Sequence, residues 1–196
     1  MGESSLSKNE DARIAALRDL EILDTPPEER FDRITKIAQI LFDVPIALVS
    51  LVDVNRQWFK SCVGLSARET PRSMSFCSHA ILEEDVMTIE DAKNDERFVD
   101  NPLVTGDPFI RFYAGKPIKG PTNQPIGTLC IIDKTPRKLS LGDKALLIDL
   151  ANWVESELKN ISLTNQLKMK TFELKNAQID LLEKNDVLEH LSLIHI

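Results

Sequence analysis

The chain has 196 residues, of which 42% are hydrophobic and 28% charged, and a formal net charge of -7 at pH 7. That is enough for one well-packed domain of ordinary size with some extra structure, and the acidic balance argues against a nucleic-acid partner. The longest apolar stretch, Val44 to Val52, is far shorter than the roughly 20 residues of a membrane-spanning helix, and the N-terminus lacks the basic start and apolar core of a secretory signal.

Three cysteines, Cys62, Cys77 and Cys130, without CxxC spacing, fit a reduced cytoplasmic protein better than a disulfide framework. In chain order, residues 1–8 are small and polar and are expected to be disordered. Asp11 to Ile22 is predicted helical from the recurrence of Ile14, Leu17 and Leu20. Thr25 is the expected cap of a second helix that carries Phe31, Ile34, Ile37, Ala38 and Leu41 on one side and ends near Asp43-Val44-Pro45.

From Ile46 the pattern changes. Ile46 to Val52 is a continuous apolar, β-branched run, as in a strand covered on both faces, and Gln57 to Val63 completes a hairpin across Asp53-Val-Asn-Arg56. Ser75 to Leu82 is predicted as a short serine-capped helix and Val86 to Ile89 as a short strand. Asp91 to Pro108, rich in Asp, Asn, Pro and Gly, reads as a long loop with one helical turn. Loops of that length usually serve as lids or binding loops. Strands follow at Ile110 to Ile118 and Ile126 to Asp133, and Ser140 opens a helix that runs through most of the remaining chain. The expected class is α+β, an antiparallel sheet with flanking helices and a long C-terminal helix.

Candidate site residues carry competing readings. Cys77 and His79 are two apart, so on a helix they diverge and make a poor metal site, even with Cys130 added. Buried small side chains and a hydrogen-bonded core histidine are the plainer reading, and a thiol redox role for Cys77 and Cys130 is the sharper one. Arg111 and Tyr113 share a strand face. They either bind an anionic ligand group, or Arg111 forms an internal ion pair with Asp91 or Asp100 that ties the long loop to the sheet. Trp58, Phe59, Phe76, Phe98, Phe109 and Phe112 read as core. No nucleophile elbow, triad or glycine-rich phosphate loop occurs, so no enzyme activity is expected of the chain itself; any cofactor stays unspecified.

Leu167, Leu174, Leu181 and Leu188 recur every seventh residue, a coiled-coil seam at one heptad position. The companion positions Lys170, Ala177, Lys184 and Leu191 make it weak, which suits a two-register signalling linker. A solvated amphipathic helix is the alternative.

Seven strings stand in order at natural spacings: Leu41-Phe-Asp-Val-Pro-Ile-Ala-Leu-Val-Ser-Leu-Val-Asp53, Arg56-Gln-Trp-Phe-Lys60, Glu69-Thr-Pro-Arg72, Ser75-Phe-Cys-Ser-His79, Phe98-Val-Asp-Asn-Pro-Leu-Val104, Ile110-Arg-Phe-Tyr-Ala-Gly115 and Gly127-Thr-Leu-Cys-Ile-Ile-Asp133. Together they resemble a GAF domain of the type found N-terminal in bacterial sensor histidine kinases and diguanylate cyclases. The resemblance implies a sheet of about six antiparallel strands, a pocket roofed by the irregular middle segment, and terminal helices that dimerise. Residues 9–160 are then the sensor domain and residues 161–196 a signalling helix leading to an output domain in the same chain.

The resemblance makes Cys77, His79, Asp91, Arg111, Tyr113 and Cys130 candidate contacts for a small-molecule ligand. The chromophore-attaching motif of bilin-binding members and the Asn-Lys-Phe-Asp-Glu string of cyclic-nucleotide-binding members are missing, so the ligand stays open. Leu182 to Ser192 resembles the helix that precedes the phosphoacceptor of histidine kinases. Leu191 to Ile196 resembles translated adapter sequence, and truncation before the output domain is expected. A histidine kinase is the expected output, with a diguanylate cyclase or a thiol redox enzyme or sensor as alternatives.

Overall fold

The computed structural model describes residues 9–194, with side chains described to residue 185. The expected N-terminal disorder (residues 1–8) and the side chains of Leu188 and Leu191 therefore lie outside the described residues. Two compact units divide the chain, Met1–Lys159 and Asn160–Ile196.

In the first unit, helices α1 (Glu10–Arg18) and α2 (Glu29–Leu41) precede strands β1 (Ile46–Val52), β2 (Arg56–Val63) and β3 (Glu69–Pro71). After a 3-10 turn at Arg72–Met74 come α3 (Cys77–Ala80), β4 (Met87–Ile89), a second 3-10 turn at Ala92–Asn94, and α4 (Pro102–Thr105). Strands β5 (Phe112–Lys119) and β6 (Pro125–Asp133) complete one six-stranded sheet of order β3-β2-β1-β6-β5-β4, with every pair antiparallel. Helix α5 spans Leu141–Ile194.

All seven residues of β1 are buried, which explains their unbroken apolar run. One sheet face carries a cluster in which Ile46, Leu48 and Val52 meet Phe76, Cys77, Ala80, Phe98, Ile110, Tyr113 and Cys130. Helix α2 lies against β1 and β2 and buries Phe31, Ile34, Thr35 and Ala38. In α5, Leu147, Leu150, Ala151, Val154 and Leu158 are buried. Gly127 faces Leu51 across the β1–β6 pair, and a Cβ built there would collide with the Ser50 carbonyl oxygen.

Several expectations are corrected. Thr25 does not cap α2: its hydroxyl donates to the Ile22 carbonyl at 2.7 Å and accepts from the buried Lys60 ammonium at 2.6 Å. The buried face of α2 is rotated from the expected one, because Thr35 turns inward to meet Ser61 Oγ at 2.7 Å, while Ile37 and Leu41 are exposed. Phe109, expected in the core, is 53% exposed on backbone with φ of 60°. Helix α1 ends four residues early, although Leu20 and Ile22 stay buried, and the long loop holds two helical turns instead of one. The sheet gains the edge strand β3, which pairs Glu69, Thr70 and Pro71 with Trp58, Gln57 and Arg56. The N-cap position of α3 is Phe76 and carries no side-chain cap; Ser75, one residue earlier, accepts the Ser78 amide through Oγ at 3.0 Å. Ser140 and Asp143 form a reciprocal cap on α5.

A charged cluster joins α1 to the sheet. Arg13, fully buried, donates to the Val52 carbonyl at 2.6 Å and through two nitrogens to Glu10. Arg72 donates to the same Glu10 at 2.6 Å and to the Asp53 and Val54 carbonyls. The Arg13 hydrogen bond, against the opposing effect of burial and with Arg72 adding to it, lowers Glu10 from 4.5 to about 2.

Two predictions follow from this packing. Gly127→Ala is expected to lower the unfolding free energy by about 2 kcal/mol or more, as overpacking against backbone does, measured as a urea midpoint shift. Because the folded-state carboxyl of Glu10 is depressed, its contribution is full above pH 4.5 and is lost as pH falls toward about 2. The loss amounts to about 3 kcal/mol at most. The Glu10→Gln variant should show a flatter acid limb in a series of thermal melts across that window, and an unchanged limb would contradict the assignment.

Candidate functional site

The six candidate residues fall into three places. Cys77, Tyr113 and Cys130 converge in the buried cluster. Cys77 sits at the start of α3 and Cys130 on β6, and their sulfurs are 3.8 Å apart. The Tyr113 hydroxyl donates to Cys77 Sγ at 3.5 Å. Leu48 pairs with Cys130 in the β1–β6 ladder, which sets the Ser50 and Thr128 pair two residues along the same sheet face. Ser50 and Thr128 are fully buried, and the Thr128 hydroxyl has no hydrogen-bond partner among the described residues. Of the two thiols Cys77 is the more acidic. The Cys130 thiol donating to it holds it below the usual thiol range against the effect of burial, and the Tyr113 hydroxyl adds to this. Cys130 is pushed well up by the same shared hydrogen bond and by burial. Burial likewise raises Tyr113.

Asp91 and Arg111 form a second place. The guanidinium donates through Nε to Oδ1 at 2.6 Å and through a terminal nitrogen to Oδ2 at 2.8 Å. Arg111 holds the Asp91 carboxyl below its ordinary range. With the Ala92 amide donating to the Arg111 carbonyl at 2.6 Å, the pair fastens the start of the long loop beside β5. Of the two readings of Arg111, the internal pair is the one formed.

His79 stands apart in a third place, a cleft of about 50 Å³ lined by Ser73, His79, Glu96, Arg97, Asp100, Asn101 and Pro102. Its ring meets Phe98 edge-on at 4.9 Å, and burial, then Arg97, lowers its pKa. Phe76 stacks on Phe98 at 4.0 Å between centroids, with 8° between planes. This stack separates the His79 cleft from the thiols.

Ser50 and Thr128 were missed in the sequence, although each is a polar residue inside an otherwise apolar strand. On α5, Leu167, Leu174 and Leu181 are exposed. So are Leu163, Met169, Phe172, Ile179 and Leu182, a broader apolar surface than one heptad position. Among the described residues no group of three or more His, Cys, Asp or Glu side chains is placed to hold a metal. No helix among them is long and apolar enough to cross a membrane.

Residues 26–158 match the GAF domain family. The chain is 41% identical over 165 residues to a cyclic di-GMP phosphodiesterase of Pseudomonas aeruginosa; the match covers 84% of this chain and spans 28% of the length of that relative. Among solved structures, the GAF domain of an Acinetobacter phosphoenolpyruvate-protein phosphotransferase superposes with a TM-score of 0.57 at 17% identity, covering 79% of this chain and 98% of that one. A free methionine-R-sulfoxide reductase of Neisseria meningitidis gives a TM-score of 0.57 at 14% identity, covering 84% and 98%. At these identities the structural likenesses speak for the fold alone. The matched residues, the six-stranded antiparallel sheet and the helices flanking it together establish that the chain belongs to the GAF domain family.

Proposed function

We propose that the chain is the sensory module of a longer signalling protein, and that its state sets the activity of an output domain that turns over cyclic di-GMP. The observation that carries this reading is the 41% identity to the Pseudomonas phosphodiesterase, over a stretch longer than the family match itself. A histidine kinase output rests on the resemblance of the domain's seven strings and of Leu182 to Ser192, whereas the cyclic di-GMP output has the 41% identity behind it and is favoured. Catalysis belongs to that output domain, and the module regulates it.

In this reading the signal enters on the sheet face covered by α3 and residues 91–110, where Asp91–Arg111 acts as a latch. It leaves through a homodimer of the terminal helices. Exposed Ile37, Ile40 and Leu41 on α2 and Leu146 and Trp153 on α5 supply apolar contact area for a second copy. In the second unit, exposed Leu167, Leu174 and Leu181 recur every seventh residue and supply a seam for the same helix of a second copy.

The test replaces the matching segment of the Pseudomonas enzyme with residues 1–196. The chimera is expected to sediment as a dimer and to hydrolyse cyclic di-GMP. Paired Leu174→Asn and Leu181→Asn changes should weaken the dimer and shift the hydrolysis rate roughly 5-fold or more, the lower end of a typical coupling. A chimera that loses its dimer with no change in rate would contradict the helical relay.

A further inference from the structure

We infer that Cys77 and Cys130 form a buried dithiol that a small hydroperoxide closes to a disulfide, making α3 a redox-driven element of the sensor. The claim that closure carries a signal rests on the sensory reading above; the claim that the bridge forms does not.

The geometry carries it. The sulfurs already face each other at 3.8 Å, and closing to a bond of about 2 Å is a small movement. The two ends differ in their freedom to make it. Cys130 lies in β6, held between β1 and β5, whereas Cys77 belongs to a helix of four residues. One hydroxyl reaches the Cys77 sulfur: Tyr113 donates to it at 3.5 Å. That donor stabilises the thiolate, the reactive form. Cys62 offers an internal comparison, since it is half-buried, bonded to the Leu65 carbonyl and raised in pKa by burial.

In the first step the Cys77 thiolate attacks one peroxide oxygen, the O–O bond breaks, and hydroxide leaves, giving a sulfenic acid. The Cys130 sulfur then attacks the sulfenic sulfur, the S–O bond breaks, and the S–S bond forms. For hydrogen peroxide, two thiols and one H2O2 give one disulfide and two water molecules, each thiol proton joining one of the two hydroxyl groups released from the peroxide; two electrons pass from the sulfurs to the peroxide. Burial admits only a small neutral oxidant.

Closure pulls α3 toward β6. It also moves the flanking Phe76, stacked on Phe98, and His79, edge-on to the same ring. The sulfur state is thereby passed to the segment after β4.

The test exposes the folded, reduced full chain to hydrogen peroxide, blocks remaining thiols with N-ethylmaleimide in denaturant, and maps peptides without reduction. A peptide joining Cys77 to Cys130, with Cys62 still labelled by maleimide, is expected. Full labelling of Cys77 and Cys130, or a joined peptide only when peroxide is added after unfolding, would overturn the bridge. In a Cys130→Ser chain treated with hydrogen peroxide while folded, freed of peroxide and then denatured in dimedone, an adduct should form on Cys77, and its absence in a chain whose circular dichroism was unchanged before denaturation would overturn Cys77 as the attacking sulfur. The chimera then separates the two claims. A bridged chimera whose hydrolysis rate shifts supports the signal, and a bridged chimera with an unchanged rate leaves the dithiol chemistry standing and removes its role in sensing.

Discussion

Strand β1 is the constraint on which the rest of the fold depends. It is buried over all seven residues and hydrogen-bonded to β2 on one side and β6 on the other. A strand in that position requires cover on both faces. Helix α2 supplies it on one side through Phe31, Ile34 and Ala38. On the other, the chain between β3 and β5 folds back so that Phe76 and Phe98, with Tyr113 of β5, pack in one cluster with Leu48 and Val52. Part of the same sheet face is polar, since Ser50 and Thr128 lie opposite one another there, and the two thiols sit against them. A polar, thiol-bearing patch inside a fully covered sheet face is the chemical peculiarity of this domain.

The buried charges serve a different purpose. Glu10 accepts hydrogen bonds from both Arg13 and Arg72, so α1 is tied to the end of β1 and to the turn that leads into α3. Such a cluster offers limited net stability against its desolvation cost, while removing one member is expensive. Its value lies in position. Arg72 is two residues from Met74, whose carbonyl accepts from the Asn101 side chain at 3.0 Å, and the Arg72 carbonyl accepts the Ser75 amide at 3.0 Å. A continuous series of polar contacts therefore runs from α1 through the 3-10 turn to α3 and α4.

Most strands were legible in the sequence, because β1 and β6 are apolar runs and the hairpins carry clear turn residues, whereas their order in the sheet was not. Strand β3 was not, since Glu69-Thr70-Pro71 is a short, half-polar edge with no alternation to read. The inward face of α2 was misjudged because Thr35 meets its hydrogen-bonding needs through Ser61 and its own helix, leaving Ile37 to solvent. Arg13 would be placed outside by any hydropathy rule; its three hydrogen bonds, two to Glu10 and one to the Val52 carbonyl, permit burial. At the site, the approach of Cys77 to Cys130 joins residues 53 apart in sequence, which no local pattern encodes. The Asp91–Arg111 pair could be named in advance, because charge and loop position limit its candidates, but its choice over a ligand depended on the fold.

The central claim is that the sheet face under α3 is closed by the protein's own side chains around the thiol pair. Native mass spectrometry of the full chain purified from cells, compared with the same sample after denaturation, tests it most directly. The account predicts the mass of bare chains in both spectra. A mass excess that survives desalting and disappears on denaturation would reveal a resident small molecule and contradict it.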